Sequence, residues 1–182
     1  MLTEAECRSA MLTTLRSVND DVLEPKGWDE PASLWGVTRK QLTDAIGFEL
    51  HPMMGGDDFM DAPPSEILDW LATGLESPSS PAPRLPELYA VLFVAEAWMI
   101  ERTAAEEREI APGEIELQSD KVECRIICAV DIDGVNYTHR YDRITGVREE
   151  SAWRNGVALG PNGSAGDGYV MDSLARIVRA LA

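Results

Sequence analysis

Two side chains in the last third of the chain have the types needed for nucleophilic chemistry. Cys128 and His139 lie on two runs of alternating apolar and polar residues that flank Asp133-Gly134. If the runs pair as a hairpin with a two-residue turn, the cysteine and the histidine are cross-strand neighbours. A histidine beside a cysteine can take the thiol proton and leave a thiolate nucleophile. The same spacing also fits a buried cysteine packed beside a hydrogen-bonded imidazole.

A carboxylate interrupts the most apolar run of the sequence. Glu96 lies within residues 88–100, which are otherwise nearly all apolar. Because burying an unpaired carboxylate costs free energy, we expect a basic partner, for which Arg140 and Arg143 are candidates. Exposure at a strand end and a role as a functional acid are the alternatives. One function open to the chain is therefore a small enzyme or ligand-binding domain, with a pocket near Glu96, Cys128, His139 and Tyr141.

A histidine and several carboxylates occur together between residues 47 and 62. His51, Asp57, Asp58 and Asp61 are ligand types that bind divalent cations, and an imidazole beside a carboxylate can act as a base. The segment shows no periodicity and contains no second histidine, so a solvated acidic loop explains it more simply. We expect no metal and no cofactor, and these four residues are the metal-ligand candidates.

The excess of negative charge is confined to the first two-thirds of the chain. The formal net charge is −16. Residues 1–123 contain 25 acidic and 9 basic side chains, whereas residues 124–182 contain seven of each. Such a field repels nucleic-acid phosphates and anionic membranes and attracts basic proteins, although solubility alone also explains it. We therefore expect no direct contact with nucleic acid or membrane.

The densest acidic run is EEREIAPGEIE, residues 106–116. A charged edge strand here would resist aggregation, and its carboxylates would form a docking surface. The predicted binding residues are Glu106, Glu107, Glu109, Glu114 and Glu116. Because no strong catalytic motif accompanies them, the sequence favours a non-enzymatic regulatory module that docks a basic protein partner. Inhibitors, immunity-type proteins and accessory proteins are examples of this class.

The cysteines and the N-terminus indicate a compartment. The chain has three cysteines, an odd number, and contains no Cys-x-x-Cys pair. The first residues are acidic and lack the apolar segment of a signal peptide. A reducing cytoplasm is therefore the predicted location.

Capping signals and apolar spacing predict the N-terminal elements. Thr3 and Glu6 form a capping-box pattern that predicts a helix over about 4–18, with an apolar stripe formed by Cys7, Met11, Leu15, Val18 and Val22. A similar pattern predicts a short helix over 39–46. Apolar spacing after Pro63-Pro64 predicts a helix over about 65–76. The remaining segments, 19–33 and 47–62, are predicted to be loops.

Period-two alternation predicts the C-terminal strands. Residues 88–100 fit a buried strand, with a buried helix as the alternative. The runs 122–132 and 135–143 predict a hairpin, and 147–153 predicts a third strand of a meander. A two-residue turn fixes the hairpin register, with the pairs 132 with 135, 130 with 137, 128 with 139, and Arg125 with Asp142. Apolar spacing then predicts a closing helix over about 169–181.

These elements predict an α+β fold. A small antiparallel sheet packs against the N-terminal and C-terminal helices, whose apolar faces need a surface to cover. Residues 1–182 are expected to form a single domain. A division into a helical part (1–76), a linker (77–86) and a sheet part with the last helix (87–182) is the alternative.

Overall fold

The computed structural model describes residues 3–41, 46–59, 62–77, 85, 87–100, 121–159 and 169–182. It contains one seven-stranded antiparallel sheet with helices on both faces. The predicted α+β class, with a sheet covered by N-terminal and C-terminal helices, is confirmed. Strands from both sides of the predicted linker join the same sheet. Among the described residues, every helix is too short or too polar to cross a lipid bilayer.

The sheet order is β2-β1-β3-β4-β5-β6-β7, and every neighbouring pair is antiparallel. The helices are α1 (Glu4–Ser17), α2 (Pro64–Glu76) and α3 (Tyr169–Leu181). The strands are β1 (Ser33–Gln41), β2 (Ile46–Met54), β3 (Leu88–Ile100), β4 (Lys121–Asp131), β5 (Asn136–Asp142), β6 (Arg148–Arg154) and β7 (Val157–Ala158). The predicted helices over 4–18, 65–76 and 169–181 and the strands over 88–100 and 147–153 are confirmed.

The helix α1 continues into a π-helix, Val18–Leu23, where the sequence predicted a loop. The capping box is present, with Thr3 N donating to Glu6 Oε2 at 2.7 Å. A π-helix closes its hydrogen bonds between residues five apart and has more residues per turn than an α-helix, so the inward position that follows Val18 one turn later shifts to Leu23. Leu23 is buried, whereas Val22, which the regular stripe placed inward, is exposed.

Residues 33–41 and 46–54 form two paired antiparallel strands, so the predicted helix over 39–46 is wrong at its described residues, 39–41 and 46. The predicted loop over 47–62 is also wrong over its first half, since β2 runs to Met54. The strand β2 lies at the edge of the sheet, and no described strand pairs with its outer side. Its apolar residues alternate only from Ile46 to His51, and Pro52 then interrupts the run, which weakens the strand signal in the sequence.

The sheet separates two apolar cores. One core packs α2 and α3 against the sheet through residues such as Leu68, Val91 and Leu174. The other packs α1 against the opposite face through Met11, Leu15 and other residues. The helix α1 contacts both β2 and β6, which lie near opposite ends of the strand order. The sheet must therefore curve around α1.

The predicted hairpin of β4 and β5 is confirmed, but its register is wrong by one residue. Ala129 lies opposite Tyr137, and Cys128 lies opposite Thr138. The connection has three residues rather than two, and ends at Gly134 with a φ of 76°. This is the three-residue hairpin loop in which the last residue is left-handed. The carboxylate of Asp131 stabilises it by accepting from Val135 N at 2.8 Å and from the N–H of Asp133 at 3.0 Å.

Candidate functional site

The residues predicted to form a catalytic pocket are not brought together. Because the register differs, His139 lies opposite Ile127 and faces the core beneath α1. Cys128 faces the other core, beneath α2 and α3. Burial raises the pKa of the Cys128 thiol to about 12, so the group is a neutral thiol near neutral pH. The predicted pairing of Cys128 with His139 is therefore wrong.

His139 is fully buried and takes part in an ion-pair network with α1. Its Nδ1 lies 3.2 Å from Glu150 Oε1, and Glu150 in turn accepts two hydrogen bonds from Arg16 at 2.8 and 2.6 Å. Burial opposes ionisation of Glu150, but the bonds from Arg16 and His139 outweigh it and lower the carboxyl pKa. An ionised carboxylate only accepts, so Nδ1 carries the proton and Nε2 is a bare acceptor. That Nε2 is buried and has no partner among the described residues.

Glu96 is held in a structural ion pair with Arg125, not with the predicted Arg140 or Arg143. Arg125 is 1% exposed and donates through Nη2 to Glu96 Oε1 at 2.8 Å. The guanidinium also donates to the carbonyl of Gly27 and lies 4.7 Å from the ring centre of Trp28. Arg125 thus connects the segment after the π-helix, at Gly27 and Trp28, to the sheet through a hydrogen bond and a ring contact.

Tyr141 lies beside this network rather than in a pocket. Its ring stacks on Trp28 with 5.9 Å between ring centres. The predicted contact of Arg125 with Asp142 is wrong, because Arg125 lies opposite Tyr141 and Asp142 lies opposite Cys124. Glu96 and Tyr141 thus lie around Arg125 and Trp28, His139 lies in the ion-pair network with α1, and Cys128 lies in the core on the other face of the sheet.

Three carboxylates meet at the outer end of the network. One oxygen each from Asp29, Glu96 and Glu123 lie within 4.8 Å of one another. Arg125 binds Glu96, and Arg143 binds Glu123 at 2.7 Å, so two guanidinium groups already balance the cluster. This is the geometry of an ion-pair network.

The predicted metal ligands do not form a site in the part of the chain that the structure describes. His51 lies on β2 and is hydrogen-bonded to Thr38 Oγ1 at 2.9 Å. Asp58 accepts from Gly55 N at 2.8 Å within the short turn Gly56–Phe59, which also contains Asp57. Asp61 lies outside the described residues. The predicted docking residues Glu106, Glu107, Glu109, Glu114 and Glu116 also lie outside them.

A groove of about 630 Å³ runs between α1 and the edge strand β2, and we name it the α1–β2 groove. Its helical wall is one stripe of α1 and the π-helix with mostly small or hydroxyl-bearing residues, namely Glu6, Ser9, Ala10, Thr13, Thr14, Ser17, Val18, Asp21 and Val22. Gly47, Phe48 and Leu50 form the other wall. This groove was not predicted, because the residues of β2 from 47 onward were expected to form a loop.

The helical wall of the α1–β2 groove is rich in hydrogen-bond acceptors. Thr13 donates its hydroxyl proton to Ser9 O at 3.0 Å, and Thr14 donates to Ala10 O at the same distance. Each hydroxyl proton is thus used within the helix, while the oxygen lone pairs remain free to accept. A ligand in the groove therefore meets acceptors along this wall.

Both ends of the groove carry a negative charge. Glu6 lies at one end, and its pKa is lowered by hydrogen bonds from the Thr3 backbone and side chain. Asp21 lies at the other end and is exposed. No lysine or arginine lines the groove among the described residues. The groove is therefore complementary to a cationic, donor-rich chain.

Two other surface pockets do not combine negative charge with an absence of basic residues nearby, as the α1–β2 groove does. One is an apolar hollow of about 480 Å³ beside Trp70 on α2, but the neighbouring carboxylates Asp69 and Glu76 are bound by Arg176. The other, about 520 Å³, lies between α3 and the turns at Gly134 and Gly156. Its lining combines the carboxylates of the turn and α3 with the guanidinium of Arg179.

Comparison of the chain with known proteins gives no relative from which a role is inherited: no family model, no curated protein and no solved structure matches it.

Proposed function

We propose that the protein is a non-enzymatic interaction module that docks a basic protein partner, in the manner of an inhibitor, an immunity-type protein or an accessory protein. The observation that carries this proposal is the α1–β2 groove, which has a carboxylate at each end, acceptor oxygens along its wall and no basic residue among its described lining. Aromatic and apolar side chains such as Phe48 and Leu50 supply contact area beside the charges.

The charge of the whole chain supports the same proposal. With a net charge of −16, the molecule attracts a basic partner from a distance and speeds the encounter. Long-range attraction does not choose an orientation, so a defined surface must do so. The groove meets that need because its charges are fixed at the two ends of a helix stripe.

The test is a titration with a disordered lysine- and arginine-rich peptide of about 20 residues, followed by fluorescence anisotropy at about 25 mM and about 300 mM salt. The groove variant is Glu6→Gln with Asp21→Asn. Glutamine preserves the capping box, so the helix keeps its start. Each exposed charge contributes about 0.2–1 kcal/mol, so the variant, which removes two, should bind roughly two- to thirtyfold more weakly at low salt.

The matched control removes the same number of charges on the other side of the sheet. Asp57→Asn with Glu66→Gln alters two exposed carboxylates near α2. If this control weakens binding as much as the groove variant does, net charge alone drives the attraction and the groove is not the docking site. Absence of binding at low salt to the unmodified protein contradicts the proposed function itself.

A further inference from the structure

We propose that the basic partner docks by adding a β-strand to the outer edge of β2, with alternate side chains directed into the α1–β2 groove. This inference rests on the proposed function and specifies the part of the partner that binds, an extended segment in which apolar and basic residues alternate. Strand addition obtains affinity from backbone hydrogen bonds and specificity from pockets that receive every second side chain.

The two edges of the sheet differ in what they offer another chain. At one edge, β7 consists of two residues, Val157–Ala158, and is too short to template a strand. At the other, β2 has nine residues, and no described strand pairs with its outer side. Unpaired N–H and C=O groups on a long edge are ready to bond another backbone. An incoming strand would therefore pair with β2.

The groove and the free part of β2 match in length. The helix stripe from Glu6 to Asp21 spans about 20 Å, since each helical residue rises about 1.5 Å. An extended chain of about six residues covers that distance. The strand β2 offers residues 46–51 before Pro52, which has no N–H to donate. The backbone ladder would thus be confined to the part of β2 that lies along the groove.

The side chains of β2 define the chemistry of the added strand. Phe48 and Leu50 pack against the core on the α1 side of the sheet, whereas Glu49, between them, points to the opposite side. The Glu49 side chain is 55% exposed, and its nearest cation, Lys40 Nζ, is 3.9 Å away. Incoming residues that face α1 therefore meet an apolar floor with acidic ends, and those that face away lie beside Glu49.

The same charges argue against a second copy of this chain as the occupant. Pairing of β2 with β2 would bring Glu49 and the acidic ends of one groove next to those of the other. Like charges on neighbouring strands are destabilising. A basic segment converts each of these repulsions into an attraction, so we assign the edge to a basic partner.

The experiment compares three fluorescent octapeptides in which lysine and valine alternate. The parent is unmodified, one isomer is N-methylated on every valine, and the other on every lysine. In a strand, the N–H groups of alternate residues point to opposite edges, so each isomer blocks only one edge. Charge, side chains and number of methyl groups are equal in the two isomers, which makes each the control for the other.

We expect one isomer to bind the full-length protein like the parent and the other to bind at least tenfold more weakly, through loss of several backbone hydrogen bonds. Equal affinity of the two isomers, whether high or low, overturns strand addition. If the parent does not bind while the disordered basic peptide does, docking stands and strand addition is refuted. If neither binds, both proposals fail.

Discussion

Replacing Glu96 by glutamine should be among the most destabilising conservative changes in this protein. The substitution removes the negative charge that faces Arg125, whose side chain is 1% exposed. Glutamine retains the shape of the side chain but has one acceptor oxygen, so it can accept either from Asp29 N, as Glu96 does at 2.7 Å, or from Arg125, but not from both. The substitution removes the negative charge that balances the buried guanidinium of Arg125. A buried charge without an opposite charge lowers the free energy of unfolding.

The magnitude follows from burial. Removing one partner of a buried ion pair costs about 3–5 kcal/mol. Glu96 is 11% exposed and glutamine remains a hydrogen-bond acceptor, so we expect the lower end, about 3 kcal/mol. With a slope of about 2 kcal/mol/M in urea, the unfolding midpoint should fall by about 1.5 M. Tryptophan fluorescence reports the change directly, because Trp28 lies against Arg125.

The matched control is Glu149→Gln. Glu149 also pairs with an arginine, Arg140, at 3.2 Å, but its side chain is 61% exposed. Water and salt screen such a pair, and we expect a change within about 0.5 kcal/mol. If the two variants lower the midpoint equally, burial of Arg125 does not decide the cost, and the reasoning is refuted.

Three further changes test separate parts of the structure. Burial lowers the pKa of His139. A second proton on the ring would sit on Nε2, which has no acceptor among the described residues. The histidine therefore binds this proton more readily in the unfolded chain than in the folded protein. The free energy of unfolding should therefore fall as pH drops below about 6.5, and His139→Gln should flatten that slope in urea titrations from pH 7 to 5. The facing charged groups Arg16, Asp20, Arg148 and Glu150 remain in that variant. The thiol of Cys128, with its pKa near 12, should not react with iodoacetamide in the folded protein but should react in urea. Peptide mass spectrometry measures this modification. Rapid modification of Cys128 in the folded protein would contradict its burial. Gly134→Ala should destabilise the fold by about 1 kcal/mol, because the φ angle at this position is 76°. Gly74→Ala lies within α2, where an added Cβ meets no neighbour, and should stabilise the fold by about 0.5–1 kcal/mol. If thermal unfolding shows that both changes stabilise or both destabilise the protein, the assigned turn is refuted.

The strand β3 was predictable from its long apolar run, and β4 and β5 were predictable from period-two alternation on either side of Asp133-Gly134, but the register of the hairpin was not. Ile126 and Ile127 are adjacent and both apolar, since both faces of the sheet are covered. Alternation therefore does not decide which face each residue occupies. The loop length decides it, and Asp133-Gly134 fits both a two-residue and a three-residue connection. A register shift of one residue therefore places Cys128 and His139 on opposite faces of the sheet.

The candidate site was harder to predict because it depends on an edge strand and a helix packed side by side. The capping box at Thr3 correctly predicted α1, and a similar pattern at Thr38 and Gln41 wrongly predicted a helix. At Thr38 the competing preference is the pairing of β1 with β2 and β3, which a local pattern does not contain. Glu96 was correctly expected in an ion pair, yet naming Arg125 required the pairing of β3 with β4.

The strands β3 and β4 are the wall common to both apolar cores, whereas β2 pairs with β1 along its inner side and with no described strand along its outer side. Amide hydrogens in the central strands can exchange with deuterium only when both helical layers separate, an event close to complete unfolding. The amides on the outer side of β2 pair with no described strand, so we expect them to exchange without any such opening. Amide hydrogens should therefore exchange slowly in the central strands and rapidly along the outer edge of β2, where the proposed strand addition would require no unfolding of the protein.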